Sequence, residues 1–275
     1  MEFLLSIVTI NYNNKAGLQK TIQSVVDQTY KQFEYIIIDG GSNDGSDGII
    51  NQYKKSIHYS VSEKDGGIYN AMNKGILAAH GKYILFLNSG DVFYAGNSLA
   101  NCIPGLLRNH DIVYGNTFFD KNGKRSFVNY PDKLSFSFFL TDSLCHQSTF
   151  IKRALFENSL YNETAKIVSD WEFFVIKICK ENKTSYHINE TVSVFDVSGA
   201  SSEQLAYNES ERALVIEKYF PAFVEDYNYV KSLKLRRIKQ LVFISKKPLA
   251  WKFIKAVINF IIFFIPSAKE KLWRS

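Results

Sequence analysis

The first part of this chain alternates four times between a short apolar run and a stretch with helical spacing, and nothing else in the sequence constrains the fold as tightly. The apolar runs are residues 4–10, 33–38, 57–61 and 83–87. The run at 83–87 is too short for a comfortable helix and suits a buried central strand. Leu18, Ile22, Val25 and Val26 fall at helical intervals after Asn14, a residue suited to capping that helix. A second helix is expected to about Lys54, and a third over 68–79, stopped by Gly81. Such alternation predicts a parallel sheet with right-handed crossovers. Asn88-Ser89-Gly90-Asp91 turns the chain just beyond the fourth strand, where ligands bind in open parallel sheets. Gly90 lets a ligand approach the backbone, and Asp91 offers an oxygen to a hard cation.

Beyond Asp91 the pattern loosens. Residues 112–119 and 126–130 read as a hairpin around Asp120-Lys121-Asn122-Gly123. Residues 145–151 are a further strand candidate, 171–179 a helix that Ser169 or Asp170 would cap, and 186–197 an extended segment. A loop at 198–202 follows, and from Glu203 the chain reads as helix almost to its end. A chain of 275 residues, 46% hydrophobic, has enough apolar material for one large domain or a domain with an appendage.

Several classes are disfavoured. Cys102, Cys145 and Cys179 are far apart and form no C-x-x-C pair, which argues against a disulfide framework or a zinc site and fits a reducing compartment. The N-terminus reads as a strand, without the basic leader and cleavage site of a signal peptide. Gly40, Gly41 and Gly45 follow the second strand, and Ser42 stands where the dinucleotide fingerprint needs its second glycine. There is no G-x-x-x-x-G-K-[ST] loop. A nicotinamide oxidoreductase and a P-loop NTPase are both disfavoured.

Charge divides the chain. Residues 227–275 hold twelve Lys or Arg and one acid, Glu270, whereas the remainder carries 21 basic and 26 acidic residues. The tail is the basic, partner-seeking element, suited to nucleic acid or to an anionic membrane. Residues 249–265 are apolar apart from Lys252, Lys255 and Asn259, whose spacing puts them on one helical face. Seventeen residues with a narrow basic stripe suit a helix lying in a membrane interface rather than spanning it. Lys231, Lys234, Arg236, Arg237, Lys239, Lys246 and Lys247 precede it and suit anionic headgroups. Few stacking aromatics interleave with this basic run, so a membrane surface is expected and nucleic acid is not.

Six stretches stand in a telling order: Ser6-Ile7-Val8-Thr9-Ile10-Asn11-Tyr12-Asn13, Tyr35-Ile36-Ile37-Ile38-Asp39-Gly40-Gly41-Ser42-Asn43-Asp44-Gly45, Asp65-Gly66-Gly67-Ile68-Tyr69-Asn70-Ala71-Met72-Asn73-Lys74-Gly75-Ile76, Leu87-Asn88-Ser89-Gly90-Asp91, His146-Gln147 and Ser169-Asp170-Trp171-Glu172. Together they resemble family 2 glycosyltransferases of the GT-A fold, in the bacterial surface-polysaccharide branch, over residues 4–202. The resemblance implies an α/β, Rossmann-like, mostly parallel sheet flanked by helices. The expected division is a GT-A domain over 1–202 and a helical, membrane-associating C-terminal extension over 203–275. The implied reaction is inverting transfer of a sugar from a nucleotide-diphosphate sugar, a UDP-sugar above all, to a hydroxyl of a lipid-linked saccharide. The implied location is the cytoplasmic side, held peripherally on the inner face of the membrane.

The resemblance also implies roles. Thr9, Asn11 and Asp39 would line the nucleotide pocket, with Asp65, Asn73 and Lys74 on a helix closing over it and Asn88 beside them. Asp91 would hold Mg²⁺ or Mn²⁺, and Asp170 would be the catalytic base. His146, Gln147, Trp171 and Glu172 would meet the acceptor. The chain departs from the family's Asp-x-Asp pattern: aligned on Asn88, the two aspartates become Asn88 and Gly90.

The chemistry suits these residue types. A cation held by one or two carboxylates stabilises a leaving diphosphate. A lone carboxylate opposite the leaving group can take the acceptor's proton and give inversion. Plainer readings stand beside these: Asp170 also fits a helix cap, and Cys145-His146 is a metal pair without further ligands. Two other functions remain open from the residues alone, a metal-dependent phosphoester hydrolase and a non-catalytic nucleotide-sugar-binding membrane protein.

Overall fold

The four apolar runs become the strands β1 (Leu5–Asn11), β2 (Glu34–Asp39), β3 (Tyr59–Ser62) and β4 (Tyr83–Phe86). These strands belong to a computed structural model that describes residues 3–197, 205–232, 240–241 and 243–264. They lie parallel in the order β3-β2-β1-β4. Every residue of β1, β2 and β4 is buried, as unbroken apolar runs require, while β3 forms the exposed edge. The connecting helices are α1 (Lys15–Val26), α2 (Ser46–Gln52) and α3 (Ile68–Ala78). Asn14 caps α1 as expected, its Oδ1 accepting the Gly17 N–H at 3.1 Å. Leu18, Ile22 and Val25 from α1 pack in one core with Ile7, Ile37 and Leu85 from the sheet. Each such fully buried side chain contributes about 1.5–3 kcal/mol. On the other face α3 presses close to β1, because Gly75 carries no side chain: a Cβ there would lie 2.4 Å from Val8 Cγ1.

The second half of the sheet is mixed. The strand β5 (Val92–Phe93) follows the turn after β4, and the helix α4 (Ser98–Leu106) follows β5. The expected hairpin forms as β6 (Ile112–Lys121) and β7 (Lys124–Val128), joined through Asn122 and Gly123. Both turn residues have positive φ, 54° and 82°, as a tight hairpin turn of this hand demands. The segment 145–151 is a strand only in part. His146–Ser148 coils into a 3₁₀ turn before β8 (Thr149–Lys152), and the Thr149 hydroxyl closes the turn on the Cys145 carbonyl at 2.8 Å. The short helix α5 (Phe136–Thr141) precedes this turn, and α6 (Ser169–Val175) follows the strand. β9 (Ser185–Asp196) completes the sheet. Among the described residues the nine strands run β3-β2-β1-β4-β8-β6-β9-β5, with β7 beside β6.

This order places the site. From β1 the chain moves outward to β2 and β3, then returns to the opposite side of β1 to lay down β4. The crevice at such a reversal opens at the C-terminal ends of the two flanking strands. Those ends are Asn11 of β1 and the Asn88–Asp91 turn after β4.

The helix at 171–179 begins at Ser169 and widens into a π-helical turn at Ile176–Lys180. Neither expected cap is used. Val168 occupies the cap position, the Ser169 hydroxyl accepts the Asn162 N–H, and Asp170 Oδ1 accepts the N–H of its neighbour Trp171. The helix α7 (Leu205–Tyr219) follows. The chain forms two compact units, residues 1–221 and 222–275. Residues 205–219, expected in the C-terminal extension, belong to the first unit. There Glu211 accepts the backbone N–H groups of Lys166, Ile167 and Val168 at 2.8, 3.1 and 3.3 Å.

The second unit contains α8 (Val224–Ser232) and α9 (Pro248–Phe263), the latter opening on a proline suited to a first helical position. Its apolar residues are largely uncovered, with Leu249 84%, Phe253 69% and Phe263 69% exposed. Among the described residues no helix is long and apolar enough to cross a membrane. Lys234, Arg236, Arg237 and Lys239, the loop at 198–202 and Ile265 lie outside the described residues.

Candidate active site

A cleft of about 1020 Å³ opens at the reversal, large enough for a nucleotide sugar. Asn11, Asp65, Asn88, Asp91, His146, Gln147, Asp170 and Trp171 all line it, brought together from five separate stretches of chain. The turn at its floor is fastened by α1. The Thr21 hydroxyl accepts the Gly90 N–H at 2.9 Å and donates to the Asp91 carbonyl at 2.7 Å. Gly90 sits at φ 109°, in the region that favours glycine, so the second aspartate of the family pattern would be strained here.

Asp170 is held from three sides. Trp171 N–H donates to Oδ1 at 2.9 Å, the Tyr69 hydroxyl lies 3.2 Å from the same oxygen, and His146 Nδ1 is 2.9 Å from Oδ2. Trp171 is buried, donates its indole N–H to the Phe139 carbonyl, and carries the Arg212 guanidinium over its ring at 4.7 Å.

Asp91 is 4% exposed, with Oδ2 accepting from Gln147 Nε2 at 2.9 Å and Oδ1 from the Asp196 N–H at 3.0 Å. Burial pushes its carboxyl up to about 7, and the nearby Asp196 charge acts the same way, against the lowering effect of those hydrogen bonds and of His146. In the unfolded chain the carboxyl titrates near about 3.9. Its contribution to stability is therefore complete below about 3.9 and is lost as the pH rises through about 7. In EDTA, the melting temperature of the protein should fall between about pH 5 and 7 more steeply than that of Asp91→Asn. Equal slopes for the two proteins would mean that Asp91 ionises normally in the fold.

The other expected residues stand behind the cleft wall. Asp39 is buried and accepts from Asn11 Nδ2 at 2.7 Å, from the Ser62 hydroxyl at 2.6 Å and from the Ser42 N–H at 2.9 Å. Burial raises its carboxyl, but the hydrogen bonds from Ser42, Ser62 and Asn11 outweigh that and hold it below the ordinary range. Thr9 donates to the Leu87 carbonyl and ties β1 to the end of β4. Asn73 donates to the Tyr161 carbonyl, Lys74 pairs with Glu63 at 2.7 Å, and the buried Glu172 accepts from Asn162. None of these five lines the cleft; Asp39 holds Asn11, which does, and Thr9 ties two strands whose ends border it.

Several lining residues were not singled out in the sequence: Tyr12, Tyr69, Asp196 and Arg212. Tyr12 and Tyr69 lie inside two of the six stretches. Asp196 ends β9 as Asp39 ends β2, so an acid at a strand terminus was the available signal.

The cations that the resemblance implies are Mg²⁺ and Mn²⁺. Both cations take hard oxygens. Asn88 Oδ1 is buried and has no hydrogen-bond partner among the described residues, and Asp91 lies in the same turn. The missing side chain of Gly90 opens towards Asp196, whose Oδ2 would lie 3.9 Å from a Cβ there. Among the described residues no three His, Cys, Asp or Glu side chains form a complete cage. The oxygens therefore fit a cation whose remaining positions are filled by diphosphate and water, as small hard cations usually are at phosphate sites.

Comparison with known proteins bears on this geometry. A "PGL/p-HBAD biosynthesis glycosyltransferase" of Mycobacterium bovis is 27% identical over 214 residues, 75% of this chain and 82% of that protein. The "putative teichuronic acid biosynthesis glycosyltransferase TuaG" of Bacillus subtilis is 38% identical over 91 residues, 32% of this chain and 36% of that one. Among solved structures, S. aureus TarS with UDP-GlcNAc superposes with a TM-score of 0.62 at 18% identity, covering 78% of this chain and 67% of that chain. The Pyrobaculum calidifontis mannosyltransferase with GDP-Man and Mn²⁺ gives 0.55 at 14% identity, covering 81% and 64%. These two likenesses show the GT-A fold. The sequence profile of "Glycosyl transferase family 2" matches residues 6–161, more than half of the chain, and the protein is a glycosyltransferase of that family.

Proposed function

We propose that the protein moves a sugar, with inversion, from a nucleoside-diphosphate sugar, specifically a UDP-sugar, to a hydroxyl of a lipid-linked saccharide in the building of a cell-surface polysaccharide. One observation carries this reading. The fixed carboxylate of Asp170 and the Asn88–Asp91 turn line the same cleft at the sheet's reversal. A base and a diphosphate-binding turn in one cleft are what a single displacement needs.

Asn11 and Asp65 take the nucleoside end, and Asp39 holds Asn11 in place. Asp91, with Asn88 Oδ1, would hold Mg²⁺ or Mn²⁺. The cation, when bound, neutralises charge developing on the leaving diphosphate. The Pyrobaculum mannosyltransferase was solved with Mn²⁺ and GDP-Man, and TarS with UDP-GlcNAc, which supports a cation and a nucleotide sugar here. His146, Gln147 and Trp171 face the acceptor side, and Asp170 takes the proton of the attacking hydroxyl. The bond to that oxygen forms on the face opposite the departing diphosphate, hence inversion. The protein works at the inner face of the cell membrane, held there by α9 and the basic segment before it. Names of relatives support the pathway: TuaG is assigned to teichuronic acid biosynthesis.

Binding of UDP-glucose, UDP-GlcNAc, UDP-galactose and GDP-mannose should be measured by calorimetry with Mn²⁺ and with EDTA. One UDP-sugar is expected to bind, and only with Mn²⁺. Release of phosphate from that donor without acceptor would instead indicate a hydrolase. Binding with no turnover on any membrane extract would indicate a non-catalytic receptor.

A further inference from the structure

His146 stands between two polar groups. Its Nε2 is 3.2 Å from Asn88 Nδ2, and its Nδ1 is 2.9 Å from Asp170 Oδ2. An amide nitrogen has hydrogens and no lone pair to offer, so Asn88 donates and Nε2 accepts. The imidazole proton then sits on Nδ1 and is donated to Asp170. The ring has little freedom to do otherwise: its side chain is 13% exposed and it stands edge-on to Phe86 at 6.5 Å between centroids.

A carboxylate offers about four lone-pair directions. Asp170 Oδ1 accepts the Trp171 N–H and lies 3.2 Å from the Tyr69 hydroxyl, whose closer partner is the Ile167 carbonyl, whereas Oδ2 bonds to His146 alone among the described residues. The oxygen that His146 orients therefore keeps an open lone pair. Asp91 from the floor turn interacts with the ring, and the same cleft is lined by the ionisable groups of Asp65, Asp196, Tyr69, Cys145, Lys166 and Arg212.

We propose that Asn88 and His146 are a positioning pair: the Asn88 amide fixes the Nδ1–H tautomer of His146, and that N–H aims Asp170 Oδ2 at the acceptor hydroxyl. This rests on the reading of Asp170 as the base. In the step itself the hydroxyl proton passes to Asp170 Oδ2 and the oxygen's electron pair forms the new bond to the anomeric carbon. The bond from that carbon to the diphosphate oxygen breaks, with its electrons leaving on the diphosphate. The Nδ1 proton stays on His146 throughout. The proposal accounts for the departure at residue 88. A carboxylate there has no hydrogen to give Nε2 and would accept one from it instead, so the Nδ1–H tautomer that orients Asp170 would lose its support.

The test uses the full-length protein labelled with ¹⁵N-histidine, whose five histidines are assigned with the help of His146→Gln. The neutral His146 ring should carry its proton on Nδ1, and in Asn88→Asp the proton should move to Nε2. A wild-type ring protonated on Nε2 alone would overturn the proposal. Turnover is read as UDP release from the UDP-sugars named above in the presence of a membrane extract. His146→Asn, whose amide N–H can stand near the place of Nδ1–H, should keep most of kcat. His146→Gln, whose amide reaches the place of Nε2, should lose about 100-fold with the donor KM unchanged, as expected for a misplaced base. Asn88→Asp should lower kcat although it restores an acid to the family pattern. Equal losses in His146→Asn and His146→Gln, or higher turnover in Asn88→Asp, would sink the pair. Full turnover in Asp170→Asn would instead sink the reading of Asp170 on which it rests.

Discussion

Replacing Asp170 by asparagine should leave nucleotide-sugar binding intact and cut sugar transfer by about 100- to 10,000-fold, the usual span for loss of a positioned base. The substitution keeps the shape of the side chain. The amide oxygen can still accept one of the bonds now made by the Trp171 N–H and by His146, at 2.9 Å each. It removes the lone pair that would receive the acceptor's proton. Asp170 is not the N-cap of α6, and the amide oxygen of asparagine can keep the bond to the first-turn N–H of Trp171, so the melting temperature should change little. Donor affinity, measured by calorimetry with Mn²⁺, should stay within a few-fold, because the floor turn and Asn11 are untouched. Transfer at the wild-type rate would return Asp170 to a structural part in fastening Tyr69 and His146.

Much of this site was legible because the physics was local. An apolar run of strand length followed by a polar turn places that turn at the end of a buried strand, so the Asn88–Asp91 turn could be placed from spacing, whereas Asn11 and Asp39 came from the family resemblance. Which of two neighbouring polar residues faces the cleft was not local. Asp39 and Asn11 end adjacent strands in register, yet Asn11 lines the cleft while Asp39 turns to Ser42 and Ser62. That choice is made by loop hydroxyls whose positions depend on the fold. The link from Asn88 through His146 to Asp170 joins the ends of three distant segments, and no periodicity carries it. The capping role suggested for Ser169 or Asp170 failed because the cap position falls one residue earlier, at Val168: the Ser169 hydroxyl goes to the Asn162 N–H, and Asp170 divides between the Trp171 N–H in the first turn and His146 outside the helix. Gly90 was readable as an exception to a pattern, but its cause, a backbone at φ 109°, was not.

Removing residues 248–275 should move the protein from the membrane pellet to the soluble fraction. In α9, Phe253, Phe260 and Phe263 are each about two thirds uncovered, at 69%, 65% and 69%, while Lys252, Lys255 and Asn259 form a narrow stripe along one side. Apolar exposure on this scale marks a surface that meets something apolar. A helix not long and apolar enough to span over its described residues, with cations on one stripe, is suited to lie among headgroups with its rings in the acyl boundary. The residues lining the cleft all precede residue 213 and belong to the first compact unit, so the shortened protein should fold and bind donor normally. Its loss should be selective, with transfer to a lipid-linked acceptor falling far more than transfer to a short soluble one, because the membrane no longer gathers enzyme beside substrate. Salt separates the two forces. At 1 M NaCl the Debye length shrinks to about 3 Å, so the attraction of Lys246, Lys247 and the basic run before them should be screened while burial of the rings persists. Full-length protein should therefore bind liposomes containing phosphatidylglycerol less tightly at high salt but remain partly bound. Complete release by salt would mean that the rings of α9 never enter the bilayer and that attachment is electrostatic alone. Failure to bind such liposomes even at low salt would remove the membrane from the account and leave the apolar face of α9 to a protein contact.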